Sequence, residues 1–164
     1  MDHRSALHRV SGGNRGVALL NLTEHFSLEE FTHSETGVGR GLNNDPEPET
    51  VETLKCTAAG MEEVRSLLGV PIIVLSGYRS PKVNSAVGGN PMSQHLKGQA
   101  CDFIAPTFGT PQEVCRAILD STIAFDQLIA EGTWVHISFA DEPRRSVLTA
   151  HFANGKTTYT QGVA

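Results

Sequence analysis

The stretch AFDQLIAEGTWVHISFA, residues Ala124 to Ala140, decides the fold. Two runs rich in strand-forming residues, AFDQLIAE and TWVHISFA, flank a tight turn at Gly132 and so predict an antiparallel pair. Strand alternation places Val135, Ile137 and Phe139 on one face and Trp134, His136 and Ser138 on the other. The apolar set takes the core. His136 is therefore a polar interruption that faces the other way.

Working outward, Asn154-Gly155 between the β-prone runs of VLTAHFANGKTTYT signals a type I′ hairpin. Upstream, QACDFIAP reads as a short buried strand and PIIVLSGY as another. Helices lie between and before them. TPQEVCRAILD carries a capping box, Thr110 with Glu113, around Pro111. SPKVNSAVGG opens with Ser80 as N-cap and Pro81 at the first helical position. In the longest helix, Val51, Leu54, Ala58, Met61, Val64, Leu67 and Leu68 recur mostly at three- and four-residue steps until Gly69 ends the run. SLEEFTHSETG predicts a short helix capped by Ser27 and Glu30 and anchored by Phe26 and Phe31. Helices first and a sheet afterwards give an α+β class: N-terminal helices packed on a small, mostly antiparallel sheet. Residues 1–21 read as a tail or linker, and 22–164 as a single domain.

Composition narrows the function classes. A chain of 164 residues with 39% hydrophobic residues can build one core. Its net charge of −5 argues against a broad basic surface for nucleic acid or anionic membrane. No apolar run reaches the roughly 20 residues of a membrane helix, and the first 22 residues hold no h-region long enough for a secretory signal. The expectation is a soluble monomer synthesised in the cytoplasm. Cys56, Cys101 and Cys115 cannot all pair within one chain and are expected as small buried hydrophobes.

The chemistry gathers in SGYRSPKVNSAVGGNPMSQHLKGQACDF, Ser76 to Phe103, which spends glycines and polar residues on very little core. His95 sits in a Gly/Ser context and Asp102 follows seven residues later at the start of a strand. With His136 they form a two-imidazole, one-carboxylate set that suits zinc and leaves a fourth position for water. A chain with seven histidines also offers such trios by chance. The small residues around them are expected where backbone passes close to such a site, with Gly77 turning the strand so that Arg79 reaches back over it.

The pattern Ser93-x-His95-x-x-Gly98-x-Ala100-x-Asp102, preceded by GYRSPKVNSAVGG and followed by Trp134-Val135-His136, resembles the zinc-dependent D-Ala-D-Ala carboxypeptidases and phage endolysin peptidases, especially their short phage-type branch. The resemblance runs from about Leu22 to Tyr159. It implies a DD-peptidase-like fold, zinc as cofactor, and His95, Asp102 and His136 as its ligands. It implies peptidoglycan stem peptides or cross-links as substrate, met at the bacterial wall after release or from a phage particle. It also implies that Arg79 binds substrate or the oxyanion and that Ser93 lines the cleft. Trp134, on the face of His136, is expected as a cleft wall.

One position departs from the pattern. The best-known members carry an Asp or Glu three residues before the last histidine, where this chain has Thr133, which cannot act as a base at neutral pH. Glu131, at the end of the preceding strand, is the expected substitute, with Asp126 second. Two rival readings remain. A zinc-containing module that has lost its base would bind walls or build a phage particle without hydrolysis. An Fe(II), 2-oxoglutarate oxygenase also uses His, carboxylate and His, and Arg144 and Ser146 follow His136 at a suggestive distance, but its ligands normally lie two residues apart on a jelly roll.

Overall fold

The computed structural model describes residues 20–164. Most of the expected tail lies outside the described residues. Its last two residues are already paired: the Leu20 carbonyl accepts the Leu28 N–H at 2.7 Å and Asn21 bridges Ser27.

The elements are α1 Leu28–Thr32, α2 Glu35–Arg40, α3 Pro48–Leu68, β1 Ile73–Ser76, α4 Pro81–Ala86, a 3-10 turn Gln94–Lys97, β2 Ala100–Ile104, α5 Pro111–Leu119, β3 Gln127–Glu131, β4 Trp134–Ser138, β5 Ser146–Ala153 and β6 Lys156–Gln161. Both expected capping boxes are present, Ser27 with Glu30 and Thr110 with Glu113, and Ser80 caps α4. The single expected N-terminal helix is two. His33 leaves helical geometry with ψ 135°, and the Ser34 hydroxyl accepts the Gly37 N–H to start α2.

The six strands form one sheet in the order β1-β2-β4-β3-β5-β6, antiparallel except for the β3–β5 pair. The β5–β6 turn has φ of 53° at Asn154 and 71° at Gly155, the double positive φ that a type I′ turn needs. The parallel pair follows from the path of the chain. It leaves β4 beside Gln127, crosses the end of β3, and starts β5 at Ser146, again opposite Gln127.

Helices cover one face of the sheet. Leu54, Ala58, Met61, Val64 and Leu68 of α3 and Val114, Cys115 and Ile118 of α5 pack with Phe103, Leu128, Val135 and Ile137 in one apolar core. Burying such side chains contributes about 1.5–3 kcal/mol each, the main force holding α3 and α5 to the sheet. Two expected members of the α3 stripe differ: Val51 is half-buried and Leu67 is exposed, while Thr57 is buried and donates its hydroxyl to the Gly98 carbonyl at 2.7 Å. Cys101 and Cys115 are buried and their thiols are pushed up by burial, Cys115 to about 12, but Cys56 lies exposed on the outer side of α3. All three thiols are free.

The opposite face stays open, and the register aligns its residues. Ser76 lies beside Asp102, Asp102 beside His136, His136 beside Ile129, and Ile129 beside Leu148. Across the β5–β6 hairpin, Ala150 pairs Tyr159 and Phe152 pairs Thr157. This face is the floor of a cleft of about 890 Å³, with walls from the α1–α2 junction and the Val87–His95 segment.

Candidate metal centre

His95 is carried by the 3-10 turn. Ser93 caps that turn by accepting the His95 N–H at 3.3 Å, and it also lines the cleft. The His95 ring is 2% exposed, and its Nδ1 pairs with the Gly77 carbonyl. That bond fixes the tautomer and turns Nε2 toward Asp102 Oδ1 at 3.2 Å, the outer-shell orientation seen around histidines that bind metal. His136 presents Nδ1 to the same Oδ1 at 2.8 Å. One ligand atom from each of His95, Asp102 and His136 lies within 4.8 Å of the others. Two imidazole nitrogens and one carboxylate oxygen this close together form a group able to hold a metal ion, a donor set that suits zinc with a position left open.

Asp102 is the centre of this arrangement. Burial pushes its carboxyl up, but the charges and hydrogen bonds of His95 and His136 outweigh that and hold it well below the usual carboxylate range. Burial also holds the His95 imidazole below its ordinary value, against the pull of Asp102. Arg79 Nη2 donates to the other Asp102 oxygen at 2.7 Å, and Arg79 Nε donates to Ser76 Oγ at 3.0 Å. Arg79 thus braces the trio from the β1 side.

The glycines near the trio have a further job besides the one expected. A Cβ on Gly77 would lie 2.6 Å from the Phe31 carbonyl, so glycine there also lets α1 press against the strand end. Gly98 has φ +70° and would meet Leu54 and Thr50 of α3 at 3.1 Å. Both positions are small because helices approach from the core side.

Glu131 lines the cleft, directly across from Trp134 at the end of the β3–β4 hairpin. Burial, then the charge of Asp102, raises its carboxyl above the ordinary value, against His136 and Arg79. Thr133 is on the other side of the strand. It borders a small cavity with Phe103, Pro106, Val114 and Val135 on the helical face of the sheet. Thr133 is an exposed turn residue outside the cleft lining, so a carboxylate at position 133 starts from the wrong side of the sheet.

Asp126 is 2% exposed and fully engaged. Its Oδ1 accepts the Arg144 backbone N–H at 3.0 Å and Arg144 Nε at 2.9 Å, and its Oδ2 accepts Arg144 Nη2 at 2.6 Å. Its main-chain groups bond Ser138 and Ser146. It pins the loop that crosses over β3. The hydrogen bonds from Arg144 hold its carboxyl down at about 2, below the ordinary 3.8. A lowered value means the pair stabilises the fold fully above the ordinary value and loses that contribution as pH falls through about 2. Asp126→Asn is therefore expected to cost about 1–3 kcal/mol near neutral pH. Urea titrations should show the gap from the wild type narrowing between pH 4 and pH 2, and a gap independent of pH would count against the pair.

Trp134 is half-buried, packs against Phe152 at 6.3 Å between ring centroids, and lines the cleft as expected. Its Nε1 is buried with no acceptor among the described residues. Tyr78 belongs to the core. His25 bonds Glu62 and His151 bonds Thr160, away from the trio, while the exposed His33 bonds Glu35 and also borders the cleft. Sequence reading missed the outer wall: Leu148, Phe152, Thr157 and Tyr159 all line the cleft. The signal was present, since alternation from Leu148 carried through a two-residue turn puts Thr157 and Tyr159 on the same face.

Among the described residues no helix is long and apolar enough to cross a membrane. The structure is a single sheet with helices on one side and not a two-sheet jelly roll, which removes the support for the oxygenase reading. No curated protein matches the chain. The family model for Peptidase M15 matches residues 24–138, a span that holds Arg79, Ser93, all three members of the trio and Glu131. With more than half of its length matched and a His-Asp-His group able to hold a metal, the chain belongs to the Peptidase M15 family of metallopeptidases.

Proposed function

We propose that the chain is a zinc peptidase that hydrolyses peptide bonds of peptidoglycan, in stem peptides or cross-links, of the D-Ala-D-Ala carboxypeptidase or endopeptidase type. The observation that carries this reading is the convergence of a metal-binding trio, a carboxylate of raised pKa and a braced guanidinium in one open cleft. His95 Nε2, Asp102 Oδ1 and His136 Nδ1 would hold the ion. When bound, zinc supplies a water of lowered pKa and polarises the scissile carbonyl.

The remaining work belongs to the chain. Glu131 takes the proton from the attacking water and returns it to the leaving amine, and its raised value suits a base that must also act as an acid. Arg79 spends Nε and Nη2 on Ser76 and Asp102, so Nη1 is the atom left to stabilise charge growing on the carbonyl oxygen. Ser93 and Trp134 contact the substrate from the walls.

Incubating the zinc-loaded protein with purified wall fragments and reading the products by mass spectrometry tests the proposal. Loss of a terminal D-Ala identifies a carboxypeptidase and opened cross-links an endopeptidase. Bound zinc without any cleavage would leave the non-catalytic wall-binding module as the better reading. Arg79→Lys is expected to keep the metal and to lower kcat about 10²–10³-fold, because a single ammonium cannot brace Asp102 and meet the oxyanion at once. Unchanged kcat in that variant would make Arg79 purely structural.

A further inference from the structure

Two guanidinium groups line the cleft, Arg79 and Arg144, and no lysine does so among the described residues. They are presented in the same manner. Each has its Nε and Nη2 held by a neighbour, Ser76 and Asp102 for Arg79 and the two Asp126 oxygens for Arg144. Arg79 serves the trio. Arg144 touches none of the trio, and its Nη1 makes no hydrogen bond among the described residues although its side chain is 63% exposed. A surface arginine that only neutralises an acid would normally move freely. This one is fixed from behind by a carboxylate that is itself 2% exposed and by its own backbone N–H on the same oxygen.

Its placement is also specific. Arg144 lines the same cleft as Gln94 and His95, and the Asp126 that holds it is bonded through its main chain to Ser138, two residues after His136 on the same strand. The free edge is a rigid planar fork, Nη1 with the second Nη2 hydrogen, and a carboxylate is the group that matches it with two parallel bonds. Residue 144 also lies beyond residues 24–138, so the family match does not account for it.

Resting on the peptidase reading above, we propose that Arg144 anchors a free carboxylate of the substrate, making the preferred substrate a peptide with such a group close to the scissile bond. Two sources share this chemistry: the terminal carboxylate of the residue to be released, and a side-chain carboxylate of the stem.

The test uses the zinc-loaded full chain and three synthetic stem peptides ending in D-Ala-D-Ala: the free acid, its C-terminal amide, and a form with only the side-chain carboxylate amidated. Wild type is expected to show kcat/KM for the free acid about ten- to a hundredfold above that of one amidated form, as a charged hydrogen bond warrants. Which form is disfavoured identifies the source. Because Arg144→Gln alone strands the buried Asp126 carboxylate, the decisive variant is Asp126→Asn with Arg144→Gln, in which that ratio should fall to near one. Arg144→Lys should give an intermediate ratio. Equal rates for all three peptides in wild type, or an unchanged ratio in the double variant, overturns the proposal. Should wild type cleave none of the peptides, the peptidase reading fails separately. The anchor is then read by calorimetric titration of chelator-treated protein, where no zinc competes for the carboxylate. Free acid binding at least about tenfold tighter than the disfavoured amide, with the difference lost in the double variant, supports it, and equal binding overturns it.

Discussion

Alanine in place of His95, Asp102 or His136 is expected to lower zinc affinity by well over about a hundredfold, beyond the 10–100-fold that follows loss of an outer-shell partner, and to abolish hydrolysis with it. Metal analysis after dialysis against a buffered zinc solution measures the first effect, and far-UV circular dichroism should show α3 intact, since its buried face is formed on the other side of the sheet. Asp102→Ala should be the least stable of the three. It removes the carboxylate oxygen that both imidazoles face and leaves the Arg79 guanidinium, whose side chain is 16% exposed, without its counter-charge. Asp102→Asn separates that structural cost from the loss of metal. A variant that binds zinc like the wild type takes its residue out of the ligand set.

Glu131→Gln should retain both metal and fold, because the amide is nearly isosteric, yet cut turnover by roughly 10²–10⁴-fold, the range for losing a general acid–base group. Thr133→Glu in that background should rescue almost nothing. Residue 133 is exposed in the turn and borders the helical face of the sheet, so a glutamate there meets solvent on the side away from the cleft. Stopped assays with an identical zinc content in each variant are sufficient. If Thr133→Glu restored activity to Glu131→Gln, the hairpin would have to turn over locally and Glu131 would lose its assignment; if Glu131→Gln left turnover intact, the base would lie elsewhere.

Much of this architecture was legible in the sequence because the local signals agree with each other. Capping residues, the three- and four-residue apolar steps of α3 and the Asn-Gly turn each describe elements whose stability is decided locally, and they recur in the structure. The trio was legible for a different reason: a histidine on the solvent face of TWVHIS and an aspartate in a buried strand are residues that a core would not choose. What escaped depends on contacts distant in the chain. Alternation along β3 separates Asp126 from Glu131, but nothing local indicates that Arg144 would grip Asp126 through three hydrogen bonds. Gly77 and Gly98 were noticed but only partly explained, since the partners that exclude a side chain, Phe31 and Leu54, lie more than forty residues away in the chain. Cys56 shows the limit of composition, because only the phase of α3 decides which way it faces.

The path that carries the chain over the end of β3 divides the cleft between two lengths of sequence. The trio and its bracing arginine come before residue 139, whereas the outer wall is an edge hairpin whose tip, Asn154-Gly155, ends freely. An edge hairpin is a ruler: adding or removing one facing pair of residues at its tip changes its reach by about 3.3 Å while the register of every pair nearer the crossover is kept. The reach of the cleft's outer wall is therefore set by a segment that can vary in steps, and none of those steps needs to move a residue of the trio.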